Sequence, residues 1–173
     1  MSLNYHALPV EVESVSNVTL TNSVDLGTVR VYNGEEYVYV YNAGPVTISV
    51  GQCGFMSANS GFSVTVTATT DGQDLPIGFV KHADMKTASY GWLLTRGFTT
   101  VQNGMASTAL TIADLIIPAA AGAVRKQMAP SLGTALSQTT VFFGPVIGTV
   151  VSGCASGGTG SSLAVAYVRC FGS

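Results

Sequence analysis

The sequence predicts an all-β protein: a single glycine-rich β-barrel or sandwich of short antiparallel strands, preceded by an extended N-terminal arm. Apolar and polar residues alternate with period two through most of the chain, as the two faces of a strand require. Turn residues separate the alternating runs at short intervals, which is typical of barrels and sandwiches. Helix formers gather only at residues 107–112 and at 128–136, where Pro130 and Gly133 break the run.

The arm is predicted over residues 1–25, and one β domain over residues 26–173. β-Branched residues mix with Glu and Asn in the arm, and no tight-turn signal interrupts them. Because such a segment has too little apolar surface to fold alone, we expect it to lie on its own barrel or on a partner. Its candidate contact residues are Leu3, Tyr5, Leu8 and Val10.

The clearest strand pair is a hairpin at residues 28–41. Its turn is Asn33-Gly34, a dipeptide that favours two-residue hairpins because both positions tolerate positive φ. The return run at 37–41 places its tyrosines on one face and its valines on the other.

The other strands follow in order and are bounded by turn residues. Turn signals lie at 71–74, at Asn103-Gly104 and at Arg96-Gly97, which separates two runs. The Gly/Ser-rich residues 152–162 predict a flexible loop. The predicted strands are 46–50, 62–67, 77–80, 90–95, 98–101, 115–117 paired with 124–128 around 119–122, 146–151 and 163–171.

Two runs resemble each other, each led by a proline with a glycine near its start. They are residues 76–80, with Gly78, and residues 145–150, with Gly148. A glycine inside a strand marks a bulge or a close backbone approach, as at a barrel corner. Chance and a duplicated barrel element both remain open as explanations of the likeness.

Charge is scarce in this chain. Charged residues make up 9% of the sequence, against about 25% in ordinary soluble domains, which indicates a protein whose natural state is an assembly. The net charge of −2 and the single adjacent basic pair, Arg125-Lys126, argue against a nucleic-acid surface. The apolar stretch 106–124 is interrupted by Asp114 and Pro118, and the N-terminus lacks a secretory pattern, so we expect no membrane segment and no export signal.

No catalytic constellation is visible. The two histidines, His6 and His82, have no nucleophile and orienting group at a recognisable spacing. Glu35 and Glu36 point to opposite faces of a strand, and we interpret them as solubilising residues beside an exposed turn. Asp71, Asp74 and Asp84 lack the spacing of a known metal loop. We therefore expect no enzyme activity, no small-molecule substrate, no cofactor and no metal.

The three cysteines, Cys53, Cys154 and Cys170, show no metal-ligand spacing, and their odd number fits a reducing compartment. We interpret them as small buried apolar residues. A disulfide between Cys154 and Cys170 is the less favoured alternative.

The tyrosine row of Tyr37, Tyr39 and Tyr41 is the best candidate for an active surface. Large amphipathic side chains are enriched in protein interfaces, so the row is a candidate contact with a capsid or with another subunit. A barrel-core role and a carbohydrate-binding platform remain open beside it.

The order of these pieces resembles the small head decoration (cement) proteins of tailed bacteriophages. The motifs that carry the resemblance lie within residues 26–101. At residues 111–171 only the general character of the short apolar strands matches. These motifs are, in chain order, the hairpin ending in Tyr39-Val40-Tyr41-Asn42-Ala43-Gly44, the run Leu75-Pro76-Ile77-Gly78-Phe79-Val80 and the run Tyr90-Gly91-Trp92-Leu93-Leu94-Thr95-Arg96-Gly97.

The resemblance implies a β-barrel on the outside of an icosahedral shell, often a homotrimer, that stabilises the shell by bridging subunits of the major capsid protein. It implies assembly in the host cytoplasm and a final place on the virion. The alternative hypothesis is a tail or surface β-protein with a carbohydrate-binding tyrosine face, and a small enzyme of unknown class ranks below both.

Overall fold

The computed structural model of the protein describes residues 14–56, 62–66, 75–105, 107–127, 146–155 and 162–170. Within these ranges the chain forms β-strands and one 3₁₀ turn, Ala120–Gly122, which confirms the predicted all-β class. The strands are β1 Val29–Tyr32, β2 Glu35–Asn42, β3 Cys53–Met56, β4 Ser63–Thr65, β5 Pro76–Phe79, β6 Tyr90–Gln102, β7 Leu115–Pro118, β8 Val124–Lys126, β9 Gly148–Ser152 and β10 Leu163–Arg169.

The strands form one sheet that closes on itself in its first half. The hydrogen-bonded order is β1-β2-β4-β3-β5-β6-β10-β9-β7-β8, and a further pairing between β2 and β6 closes β2, β4, β3, β5 and β6 into a barrel. Among the pairs formed by the described strands, β2 and β4 run parallel and the others antiparallel. The strands β10, β9, β7 and β8 extend the sheet beyond the barrel.

β6 joins the barrel to this extension. It runs for 13 residues without a break, whereas a break was expected at Arg96-Gly97. β2 pairs with its first half and β10 with its second half, so both halves have partners. Gly97 has φ 142°, and a Cβ there would lie 2.8 Å from Cγ of Glu35, so this glycine lets the strand continue past a close neighbour.

The hairpin of β1 and β2 has the predicted turn. Asn33 and Gly34 both have positive φ, 51° and 78°, and Tyr32 pairs with Glu35 across them. This is the backbone that two-residue hairpin turns require. The predicted pair around 119–122 is also confirmed, because β7 pairs with β8 through the 3₁₀ turn.

The core has two parts, and β2 contributes to both. Its Tyr37 and Tyr39 pack in one cluster with Phe79, Trp92 and residues of the extension. Its alternate residues Val38 and Val40 pack in the other, with side chains of β4, β5, β6 and the loops between them. β2 is therefore covered on both faces, which explains its nearly continuous apolar and aromatic sequence.

Three local predictions are corrected. Residues 46–50 do not form a strand; only Ile48 is paired, in a two-way backbone bridge with Met85. Asn103-Gly104 is not a tight turn: the buried Asn103 side chain donates to the Thr108 carbonyl oxygen at 2.9 Å and organises a longer loop. Residues 107–112 do not form a helical turn, because Leu110 pairs with Cys154 in a β-bridge instead.

The glycines of the two Pro-led runs do mark close backbone approaches. A Cβ on Gly78 would lie 2.7 Å from the Leu94 carbonyl oxygen, and one on Gly148 would lie 2.6 Å from the Tyr167 carbonyl oxygen. Only glycine lets the neighbouring strands come this near.

The described part of the N-terminal arm, residues 14–25, packs on the barrel of its own chain. Val15 is buried in the first core cluster. Thr19 exchanges two backbone hydrogen bonds with Tyr90, at 2.9 and 2.8 Å. Residues 1–13, with the candidates Leu3, Tyr5, Leu8 and Val10, lie outside the described ranges, as do residues 71–74, 128–136 and most of the loop 152–162.

Candidate functional site

The tyrosine row does not form a surface. Tyr37 and Tyr39 have no exposed area, so the expectation that they contact a capsid, a subunit or a sugar is corrected. The Tyr39 ring centroid lies 5.0 Å from that of Trp92, and its hydroxyl lies 3.0 Å from Oγ of Ser23. Only Tyr41 is half-buried, with its ring centroid 4.8 Å from that of Tyr90. The core interpretation is thus the one that fits Tyr37 and Tyr39.

A different surface has the features of a docking site. We call it the outer face: the exposed side chains of Phe98, Leu115, Thr149, Leu163, Val165 and Tyr167. β10 shows how it arises, because Leu163, Val165 and Tyr167 are exposed while Ala164, Ala166 and Val168 are buried. The inward positions hold two alanines and a valine, and the larger Leu163 and Tyr167 are turned outward.

The strand register aligns four members of the outer face in one row. Phe98 of β6 lies opposite Tyr167 of β10, Tyr167 opposite Thr149 of β9, and Thr149 opposite Leu115 of β7. Neighbouring strands are about 4.8 Å apart, so the row is roughly 15 Å wide. Phe98 is 53% exposed and Leu115 45%, and the Phe98 and Tyr167 rings meet edge to face at 5.1 Å. Exposed apolar side chains grouped on neighbouring strands are a feature of interaction sites.

Two arginines border the outer face at one end. Arg96 and Arg169 lie opposite each other in the pairing of β6 with β10, and both are exposed. Arg96 donates from Nε to the Tyr167 hydroxyl at 3.2 Å and lies 3.6 Å from the Glu36 carboxylate. An apolar centre with a charged border is the usual arrangement of a protein interface.

Sequence reasoning missed the outer face. Period two in residues 163–169 does show which side chains share a face of β10. It does not show that β6, β9 and β7 lie beside β10 in this register, because those pairings join distant parts of the chain.

Glu35 is not the solubilising residue that its sequence position suggested. Its carboxylate accepts hydrogen bonds from Lys81 Nζ at 2.6 Å and from the Tyr37 hydroxyl at 2.7 Å. Burial alone would raise the pKa of Glu35, but the Lys81 ammonium and the Tyr37 hydroxyl bring it below the ordinary value. Burial and the Glu35 carboxylate raise the pKa of Tyr37. This cluster holds the start of β2 against the segment after β5.

His82 lies beside that cluster as an exposed side chain. Its ring is stacked on Tyr37 with 5.8 Å between centroids, and its Nε2 lies 3.1 Å from the Tyr37 hydroxyl. Partial burial and the nearby Lys81 ammonium lower the pKa of His82. The hydroxyl of Tyr37 thus lies between the Glu35 carboxylate and the His82 ring.

The cysteines are all free thiols, so the Cys154–Cys170 disulfide does not form. Cys53 and Cys170 are buried, as expected, and Cys154 is half-buried. Burial, and then the neighbouring Cys170 thiol with which it shares a hydrogen bond, raise the pKa of Cys53.

The described ranges contain no group of three or more His, Cys, Asp or Glu side chains that could hold a metal ion. No helix among the residues described above has the length and apolar character needed to cross a membrane.

No family model matches this chain, and no curated protein matches its sequence. Among solved structures, it is similar to one described as the head fiber gp8.5 N base in bacteriophage phi29. The match has a TM-score of 0.48 and 12% sequence identity, and it covers 77% of this chain and 94% of that chain.

Proposed function

We propose that this chain is a structural protein of a bacteriophage virion that binds the outer surface of the icosahedral head. In this proposal it contacts major capsid protein subunits through the outer face and stabilises the shell by bridging them. It assembles in the host cytoplasm as a homotrimer and acts without turning over any substrate.

The observation that carries the proposal is the outer face itself. It places exposed apolar side chains of β6, β10 and β7 in one row, an arrangement that marks interaction sites. Full burial of a large apolar side chain contributes about 1.5–3 kcal/mol, so the half-exposed Phe98, Leu163 and Leu115 would each contribute about half of that. Such modest contacts, repeated at every symmetric position of a shell, hold firmly through effective concentration.

The sequence supports the same function. The resemblance to head decoration proteins lies within residues 26–101, and the 9% charge content suits a protein that is covered by neighbours. The alternative of a carbohydrate-binding tyrosine face has no support from Tyr37 and Tyr39, whose rings are buried. No second function is therefore proposed.

Quantitative mass spectrometry of purified virus particles tests the proposal first. A copy number near that of the major capsid protein, or in another high symmetric ratio to it, is the expected result. A few copies per particle would instead indicate a tail or vertex protein, and absence from particles would refute a virion role.

A binding experiment then tests the outer face. Heads assembled without this protein are mixed with purified variants and sedimented. We expect Phe98→Asp to lose at least tenfold in affinity, because a desolvated carboxylate would replace an apolar contact. Ile112→Asp is the matched control: Ile112 is 70% exposed but is not part of the outer face, so this variant should bind like wild type. Equal binding by both variants would contradict the assignment of the outer face.

A further inference from the structure

The backbone of β6 is irregular immediately before Phe98, the residue at one end of the aligned row in the outer face. The register of the pairing between β2 and β6 shifts between Glu36 and Tyr37, as it does at a bulge. Gly97 then has φ 142°. Because bulges change the direction in which neighbouring side chains point, the position of Phe98 depends on what fixes the backbone here.

The amide of Phe98 lies beyond the end of the pairing between β2 and β6. The Thr95 carbonyl oxygen accepts a hydrogen bond from the Cys170 amide, so Thr95 faces β10. Because the residues of an antiparallel strand alternate, the amide of Phe98 faces away from β10, towards the side of β6 on which β2 lies. On that side the pairing with β2 ends where Glu36 lies opposite Arg96, two residues before Phe98.

The Glu35 side chain takes the place of a paired strand at this point. Its Oε1 accepts a hydrogen bond from the Phe98 amide at 3.3 Å. Its stem packs against Gly97, where a Cβ would lie 2.8 Å from Cγ of Glu35. One side chain at the start of β2 therefore contacts two consecutive residues of β6, and it does so exactly where the backbone is irregular.

The Glu35 carboxylate is itself held from two other directions. Lys81 Nζ lies 2.6 Å from each of its oxygens, and the Tyr37 hydroxyl donates to Oε2 at 2.7 Å. Tyr37 has no exposed area, so packing in the core fixes the position of its hydroxyl. The side chains of Glu35 and Lys81 are 18% and 25% exposed, and salt screens such a partly buried ion pair less than an exposed one. The acceptor of the Phe98 amide is therefore a fixed group.

We propose that Glu35 is the positioning residue of the outer face: it fixes the β6 backbone and so holds Phe98 in its row beside Tyr167. Lys81 and Tyr37 act through Glu35, which links the outer face to the core and to the segment after β5. The inference rests on the proposed function, because it concerns the face proposed to bind the head. It predicts that loss of the Glu35 carboxylate weakens head binding, although Glu35 is not part of the outer face.

Amide hydrogen exchange of Phe98, measured by NMR, tests the contact separately from the ion pair. In the reference variant Lys81→Met the ion pair is lost, but the carboxylate can still accept from the Phe98 amide. Adding Glu35→Met to that variant removes the acceptor and leaves no lysine charge unpaired. We expect the second change to raise the exchange rate of Phe98 about tenfold relative to that of Val40 in the barrel. A general loss of stability would instead speed the exchange of both amides.

Glu36→Gln is the matched control for the exchange measurement. It removes a carboxylate from the adjacent position, but that carboxylate lies 3.6 Å from the Arg96 guanidinium rather than on the Phe98 amide. The exchange rate of Phe98 should therefore stay at the wild-type value.

Glu35→Asp remains informative if the double methionine variant fails to fold. It keeps the negative charge for Lys81 but shortens the side chain by one methylene, which withdraws the carboxylate from Phe98. We expect this variant also to raise the exchange rate of Phe98 relative to that of Val40.

Sedimentation with heads assembled without this protein then measures the effect on the outer face. We expect the double methionine variant to bind several-fold more weakly than Lys81→Met, because Phe98 is no longer held in its row. An unchanged exchange ratio, or equal head binding by these two variants, would overturn the proposal. Wild-type protein that does not bind heads would count against the proposed function instead, and the exchange ratio would still decide whether Glu35 fixes the backbone of the outer face.

Discussion

Truncating Tyr39 should destabilise the fold rather than remove a binding surface. Its side chain has no exposed area and packs against Trp92 and Tyr90, with ring-centroid distances of 5.0 and 6.2 Å. Removal of a fully buried aromatic ring costs about 3–5 kcal/mol. Because a domain of this kind has a total stability of about 5–15 kcal/mol, we expect Tyr39→Ala to lose a large part of it.

Two matched variants separate packing from hydrogen bonding and from exposure. Tyr39→Phe keeps the ring and loses only the hydrogen bond to Ser23, so we expect a cost of about 1 kcal/mol. Tyr167→Ala removes the same side chain from the outer face, where Tyr167 is 36% exposed. We expect this variant to lose about 1 kcal/mol or less, as surface residues do, but to lose shell binding.

Urea unfolding followed by tryptophan fluorescence measures all three, because Trp92 lies beside Tyr39. With a slope of about 2 kcal/mol per molar urea, a loss of 4 kcal/mol moves the midpoint by roughly 2 M. A Tyr39→Ala midpoint within about 0.5 M of wild type, or a larger shift for Tyr167→Ala, would refute the division between core and surface tyrosines.

Further predictions concern backbone contacts, an ion pair and the thiols. Gly78→Ala places a Cβ 2.7 Å from a backbone oxygen and should lower the free energy of unfolding in urea by about 1–3 kcal/mol. Gly34→Ala meets no atom within 4 Å, so it should lower the free energy of unfolding by about 1–2 kcal/mol through its positive φ alone. Burial alone would raise the pKa of Asp114, but Lys126 at 2.6 Å and a threonine lower it below its ordinary value of 3.8. The charged carboxylate therefore stabilises the fold at neutral pH, and this stabilisation is lost as the pH falls through 3.8 and then through the folded-state pKa. In Asp114→Asn the free energy of unfolding should consequently fall less steeply with decreasing pH in this range than it does in wild type. A thiol reagent should label the half-buried Cys154 first and the two buried cysteines only on unfolding; rapid labelling of all three would contradict the packed core.

Some local signals predicted the local structure correctly, and others did not. Asn33-Gly34 predicted a hairpin whose strands and turn the structure confirms, because the conformation of a two-residue turn depends mainly on its own residues. The pair of β7 and β8 and the tight approaches at Gly78 and Gly148 were likewise readable from neighbouring residues. The prediction of a strand at residues 46–50 was wrong. An alternating sequence forms a strand only where a partner strand lies beside it, and among these residues only Ile48 is paired.

The candidate site was less accessible to sequence reasoning. Alternation showed that Tyr37 and Tyr39 share a face of β2, but not that the rest of the fold covers that face. Glu35 looked like a solvent-exposed turn residue, yet Lys81, 46 positions away, partly covers it and pairs with it. The outer face depends on which strands are neighbours of β10.

By itself the sequence determined that this chain is all-β, where its first hairpin turns and how little charge it carries. Those properties follow from residue type and from separations of a few positions. Only the tertiary structure decided that the tyrosines are core, that β6 continues past Gly97 and that Phe98, Tyr167 and Leu115 share one exposed row. The physical reason is that a strand has two faces of equal geometry, and contacts between distant segments select which of them is buried.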